Sequence, residues 1–306
     1  MTAIVSVAAY FPPSVALETL AVPLGLEPAK VRRFVRLYGL SGICRSDHGE
    51  AGLLRAAAAG LDPALLTRVR YVVRARTVAF AAPYPDGVLA EVLDPLGLGA
   101  LPRFAVTEQA CASGLLAIDL CGRLLAEDGD PDALALVLLG EKAFTPAVTM
   151  IPDVAVMGEA SAAVLVGAGD RGDTVLGYAS RSFGRADAEY AMSEEAAAEF
   201  RARYVPTLAE VIAEAADRAG TALDEIELVL PHNVNRISWV RAARELGLDK
   251  DRIFLDNVAR TGHCFCADPF LNYHTAAETG RLREGGRYLL TSVGLGSTFA
   301  AMVVRH

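Results

Sequence analysis

The 306-residue sequence lacks several features that would place a protein quickly. No apolar run reaches about 18 residues, the length a helix needs to cross a bilayer, so no transmembrane helix is expected. Met1–Tyr10 carries no basic leader and reads as a first strand, which points to the cytosol. Aromatic residues are scarce at 7%, and there is one tryptophan. The five cysteines are an odd number without framework spacing, which excludes a disulfide scaffold and fits free thiols in a reducing compartment. Basic residues are in deficit, 29 against 37 acidic ones, for a net charge of -8. That opposes general nucleic-acid binding, which needs a basic face. Only five histidines are present, so the setting of each can be weighed separately.

The chain has apolar residues in quantity, 53%, which suffices for a large buried core and argues against disorder. Short β-rich runs alternate with Ala- and Leu-rich helical runs, the pattern of an α/β protein with buried sheets. Strands are predicted over residues 2–8, 103–107, 133–139, 162–166, 227–230, 288–292 and 300–304. Helices are predicted over 28–38, 86–93, 112–127, 193–219 and 238–246, with Asp86 and Ser193 as capping residues. The Gly-rich, charged stretch Gly167–Asp173 is the best linker and divides the chain into halves, 1–168 and 169–306. Each half carries strand, long helix and strand, without a residue-level repeat.

Cys111 stands apart from the other cysteines. The strand ending at Thr107 runs through Glu108-Gln-Ala-Cys-Ala-Ser-Gly114 into an apolar helix. Cys111 therefore falls at a helix N-terminus, where unpaired amides and the positive dipole end favour a thiolate. Ala112, Ser113 and Gly114 leave room for substrate, and Leu115, Leu116, Ile118 and Leu120 anchor the helix. Cys44 and Cys121 read as small buried hydrophobes.

His232 lies in Pro-His-Asn-Val-Asn, where a strand gives way to a helix, and His263 lies in Arg-Thr-Gly-His-Cys-Phe-Cys-Ala-Asp. Cys264, Cys266 and Asp268 beside His263 are capable metal ligands in type, but no second Cys/His pair has zinc-site spacing, so no metal is expected. Their role is not derivable from spacing. His48, His274 and His306 read as structural or solvent-facing.

These segments together resemble β-ketoacyl-acyl-carrier-protein synthase III and its thiolase-fold relatives. Thr107-Glu-Gln-Ala-Cys-Ala-Ser-Gly-Leu115 is similar to the family's nucleophile segment. Pro-His-Asn-Val-Asn235 resembles the family's His-Gln-Ala-Asn, so His232 matches its catalytic His and Asn235 the supporting Asn that closes the motif. His263 stands where the family has a catalytic Asn; a Cys-His-His set resembles the elongating ketoacyl synthases. Val293-Gly-Leu-Gly-Ser-Thr-Phe299 resembles the Gly-rich turn that supplies one oxyanion-hole amide, here that of Leu295 flanked by Gly294 and Gly296, opposite the amide of Cys111. Met157-Gly-Glu-Ala-Ser-Ala-Ala-Val-Leu165 is similar to a small-residue strand segment of the family. Leu40 stands where the family has an Arg that contributes to coenzyme A binding, which puts a CoA-borne donor in doubt.

The resemblance implies a thiolase-like fold of two similar α/β halves, with mixed five-stranded sheets and buried helices in αβαβα layers. It implies an acyltransferase with Cys111, His232 and His263 as the reacting set. No tightly bound cofactor is implied; the substrate would be an acyl-CoA or a phosphopantetheine-linked thioester, and the assembly a homodimer. Decarboxylative condensation with a malonyl-type thioester is the leading expectation. Transfer to a hydroxyl or amine, or service as a non-catalytic partner subunit, are the alternatives. Departures at Leu40, His263 and Leu295 suggest a specialised biosynthetic pathway. Arg236, Arg241, Arg244 and Lys250 cluster on and after the helix that follows His232, a possible docking face for an acidic acyl carrier protein. No nucleic acid or membrane partner is expected.

Overall fold

The computed structural model describes residues 1–78, 87–143, 146–183, 193–295 and 298–306, without the side chains of 146 and 147. Nine strands form one continuous sheet. They are β1 (Thr2–Tyr10), β2 (Val69–Ala75), β3 (Arg103–Val106), β4 (Leu134–Leu139), β5 (Ser161–Ala168), β6 (Asp173–Ser182), β7 (Ile226–Pro231), β8 (Arg287–Gly294) and β9 (Thr298–Arg305). The main helices are α1 (Glu50–Ala58), α2 (Ser113–Asp128), α3 (Glu194–Arg218), α4 (Arg236–Leu246) and α5 (Asp268–Glu278). No helix among the described residues is long and apolar enough to cross a membrane.

The strand order is β7-β8-β9-β6-β1-β5-β4-β2-β3. β1 and β6 meet antiparallel at a seam of two residue pairs, Ala3 with Thr174 and Ile4 with Asp173. On one side of the seam lie two antiparallel pairings and then two parallel ones, through β5, β4, β2 and β3. On the other side the directions repeat through β9, β8 and β7. A single parallel bridge between Val229 and Ile253 stands where a fifth strand would continue the pattern. Two similar halves with mixed five-stranded sheets are expected from the sequence; they join at the seam, and among the described residues the second half has four strands and this bridge. The chain before Ile253 is wound into a 3-10 turn, Lys250–Arg252, capped by the Asp249 carboxylate, which leaves one residue to pair.

Three apolar clusters define five layers. The largest places α2 and α5 between the two halves of the sheet, through Ile118, Cys121, Phe270 and Leu271 against Val137, Val164, Leu290 and Met302. On the outer side of β4 and β5, α1 covers Leu136, Leu138 and Leu165. On the outer side of β8 and β9, α3 and α4 cover Leu289, Ala301 and Val303. Both faces of each central strand are thus buried, which is why these strands read as continuous apolar runs.

Two strands and two helices escaped the pattern reading. β2 carries Arg70 and Arg74, and a charge inside a run argues against a buried strand. Arg74 is nevertheless buried, ion-paired with Glu50 of α1. β6 contains Asp173, Gly177 and polar residues and reads as the end of a linker. α1 is short, and α5 mixes Asn272, Tyr273 and His274 with its apolar positions. The helix predicted from Asp86 begins at Val88, and Asp86 itself lies outside the described residues.

Gly114, in the first turn of α2, is tightly packed against the segment before α5, the start of α5 and β4. A Cβ there would stand 2.8 Å from the Cys266 carbonyl oxygen, 2.8 Å from a Leu139 methyl and 2.9 Å from the Phe270 ring. Gly114→Ala should therefore cost about 1–3 kcal/mol of stability by overpacking, read as a lowered urea midpoint.

Candidate active site

Cys111 sits in a 3-10 turn, Ala110–Ala112, that leads directly into α2. Three contacts hold this turn. Ser292 of β8 donates its hydroxyl proton to the Cys111 carbonyl at 2.8 Å. Gly294 at the end of β8 lies so close that a Cβ would reach 2.3 Å from the Gln109 carbonyl oxygen. Tyr178 of β6 bonds the Gln109 side chain at 3.3 Å. Ala110, just before Cys111, has φ of 46°, a left-handed conformation that costs a non-glycine residue about 1–3 kcal/mol. The second half of the chain thus clamps a strained turn that carries the sulfur of the first.

The sulfur lies 3.3 Å from Nε2 of His263, and Nδ1 of His263 is 2.5 Å from Oδ2 of Asp268. Cys111 and His263 are buried, at 2% and 0% exposure. The backbone of His263 is zipped to the strand segment before it: its N–H donates to Val156 at 2.9 Å and its carbonyl accepts from Gly158 at 2.8 Å. This gives Met157-Gly-Glu-Ala-Ser-Ala-Ala-Val-Leu165 a positioning role besides the packing expected of it. Burial alone would depress the imidazole, but the Cys111 sulfur, the Asp268 carboxylate and hydrogen bonds to both outweigh it, and His263 is pushed up to about 10.

Asp268 opens α5 and is fully buried. Besides His263 it accepts the Asn233 amide at 2.6 Å, the Asn233 side chain at 3.3 Å and the Cys264 amide at 2.8 Å. Four N–H groups therefore converge on one carboxylate. Asp268 is the site residue that sequence reasoning left without a role. The available signal was its place five residues after His263, followed by Pro269 in a helix-opening pair.

His232 follows β7 and is 1% exposed, its ring centroid 5.9 Å from that of His263. It faces Tyr204 of α3, whose hydroxyl is 3.0 Å from Nε2 of His232. Burial, then the charge of His263, hold His232 well below its ordinary value, against a smaller opposing effect of the Thr291 carbonyl, so it is neutral. Tyr204 was not singled out from the sequence, because nothing in α3 marks it as facing inward. Thr77, with its hydroxyl 3.6 Å from the sulfur, was likewise missed.

The remaining expected residues fall in different places. Asn235 caps α4 by accepting the Ser238 amide at 2.8 Å and ties it to the Val154 carbonyl at 3.1 Å. Leu295 follows Gly294 directly, with an exposed side chain; Gly296 lies outside the described residues. Cys264 and Cys266 direct their thiols at the carbonyls of Thr261 and Ala75. Among the described residues no group of His, Cys, Asp and Glu could hold a metal ion. Leu40 is fully buried beside Phe34 and Ile43. Arg236, Arg241, Arg244 and Lys250 are exposed.

Residues 216–306 match the family described as 3-oxoacyl-[acyl-carrier-protein (ACP)] synthase III C terminal. The C-terminal third of the chain is thus similar to the synthase III family. Among curated proteins, β-ketoacyl-[acyl-carrier-protein] synthase III of Aquifex aeolicus is 29% identical over 102 residues, 33% of either chain. That of Erythrobacter litoralis is 33% identical over 33% of this chain and 32% of its own. The alignment thus spans about a third of the length of these relatives. The Staphylococcus haemolyticus enzyme of the same name aligns over 81% of this chain and 78% of its own, at 24% identity. Of solved structures, ChlB3, described as an acyltransferase, superposes with a TM-score of 0.85 at 19% identity, over 99% of this chain and 97% of its own. The Aquifex aeolicus synthase III structure gives 0.82 at 19% identity, covering both chains completely.

The shift of His263 carries a pH signature. A group raised from 6.5 to about 10 contributes stability that is full below pH 6.5 and lost as pH rises through about 10. Urea unfolding should therefore show stability falling between pH 7 and pH 10. Asp268→Asn, which removes one cause of the shift, should flatten that fall.

Proposed function

We propose that this chain transfers an acyl group through a thioester on Cys111 and delivers it to a hydroxyl or amine acceptor. The observation that carries this reading is the contact between Nδ1 of His263 and Asp268. It commits the Nδ1 proton to the carboxylate, so Nε2, the nitrogen beside the sulfur, is the one that takes and returns a proton.

In this cycle the proton shared by Cys111 and His263 rests on Nε2 of His263, and the sulfur attacks the donor thioester. The amides of Cys111 and Leu295 would receive the oxyanion. As the tetrahedral adduct collapses, the thiol of the donor's phosphopantetheine arm leaves with the proton held by His263. The acceptor then loses its O–H or N–H proton to His263 and attacks the acyl-cysteine, which releases the sulfur to regain that proton.

Decarboxylative condensation asks for something else: N–H groups aimed at a malonyl carbonyl to hold the enolate. Nε2 of His232 is engaged with the Tyr204 hydroxyl, which leaves His263 alone to serve the acceptor and favours transfer over condensation. The description of ChlB3 as an acyltransferase agrees with this reading. The exposed Arg236, Arg241, Arg244 and Lys250, in a chain of net charge -8, support an acidic carrier protein as the bearer of the donor. The apolar Leu40 speaks against coenzyme A. We take the working assembly to be a homodimer and the pathway to be a specialised one.

Intact-protein mass spectrometry after incubation with acyl-carrier and acyl-CoA thioesters tests the proposal. The wild type should gain one acyl mass and Cys111→Ala none. Asp268→Asn should slow acylation by roughly a hundredfold or more. Absence of an adduct with every donor would favour a non-catalytic partner subunit.

A further inference from the structure

We propose that Tyr204 is the specificity-determining residue that keeps this site from decarboxylating malonyl-type thioesters, by occupying the one edge of His232 that faces the reacting centre. This inference rests on the acyl-transfer reading above and names the group responsible for it.

The Tyr204 hydroxyl is 3.0 Å from Nε2 of His232. Whichever partner donates, that nitrogen is taken and cannot bond a substrate carbonyl. The rest of the His232 imidazole is enclosed: Trp239 stands edge-on at 5.1 Å between centroids, and His263 at 5.9 Å. Trp239 also bonds the His232 carbonyl at 2.8 Å, which fixes the backbone beneath the ring.

Tyr204 is built into this position. Its ring packs edge-on against Phe200 at 5.7 Å and Phe299 at 6.1 Å, and Phe299 is fully buried on β9. Burial, and then the nearby Cys111 sulfur, push its phenol upward, so it keeps its proton and its bond to Nε2 of His232. Pro206, two residues on, removes the amide that would bond the Ala202 carbonyl, so the α3 turn carrying Tyr204 is held by side-chain packing more than by its own ladder.

The reaction withheld is simple to balance. The bond between the α-carbon and the carboxylate of malonyl-CoA breaks, carbon dioxide leaves, and the electron pair remains on the α-carbon as an enolate. Water then supplies the proton that completes acetyl-CoA. The enolate oxygen needs an N–H donor, and a neutral His232 freed from Tyr204 can carry its proton on Nε2 and supply one.

Tyr204→Phe removes the hydroxyl and keeps the ring. Incubated with malonyl-acyl carrier protein and, in parallel, malonyl-CoA, this variant should release carbon dioxide on the order of tenfold or more faster than the wild type with at least the carrier-borne thioester. Tyr204→Leu serves as a second variant with the same expected direction. The gain should vanish in the double variant Tyr204→Phe/His232→Ala. A folded Tyr204→Phe protein with no gain, or a gain that survives loss of His232, would overturn the proposal. Acylation of Cys111, followed by mass in the same samples, reports separately on the acyl-transfer reading: lack of an adduct sinks that reading, while carbon dioxide release still decides the role of Tyr204.

Discussion

The carboxylate of Asp268 is the point on which the site turns. It is buried without access to water, and a charge so placed is tolerable only when hydrogen bonds surround it. Those bonds come from the two segments that carry the histidines. Asn233 brings the strand end that holds His232, while His263 and Cys264 bring the other loop. One anion therefore sets the distance between two imidazoles from segments some thirty residues apart. Removing it would strand several donors at once, and loss of one partner of a buried pair ordinarily costs roughly 3–5 kcal/mol.

The network extends beyond that carboxylate. Asn272 bonds the Asn233 side chain at 2.9 Å and the Pro231 carbonyl at 2.6 Å, and Asn257 bonds Asn272 at 2.9 Å. All three asparagines are fully buried. A polar chain of this kind is stable only if complete, and completeness is what lets it specify one arrangement. Strain is stored beside it on both sides: Ala110 precedes Cys111 and Phe265 follows His263 and Cys264, each with a left-handed backbone. The clamp from β8 and the carboxylate at the start of α5 hold these residues where isolated turns would relax.

The fold brings these parts together through its repeated strand order. With β1 and β6 at the seam, β2, β4 and β5 on one side and β7, β8 and β9 on the other face the two central helices. The N-terminus of α2 and that of α5 then reach the same end of the molecule, one with Cys111 and the other with Asp268. The site at this meeting point draws Cys111 from one half of the chain and His263 from the other.

The sequence by itself determined the class of fold and marked Cys111 and both histidines as candidates. These were legible because each is local: Cys111 lies where a strand, small residues and an apolar helix coincide, and both histidines lie in short motifs. It also determined the outer and central strands that are apolar on both faces. Only the tertiary structure decided the roles of Asp268 and Tyr204 and the existence of β2. A carboxylate five residues from a histidine, a tyrosine within a 25-residue amphipathic helix and a strand interrupted by arginine have no periodic signature. Their meaning lies in partners far off in the chain: Asn233 for Asp268, His232 for Tyr204, Glu50 for Arg74. Burial of polar groups is decided by such pairings, and a linear pattern of apolar residues does not record them.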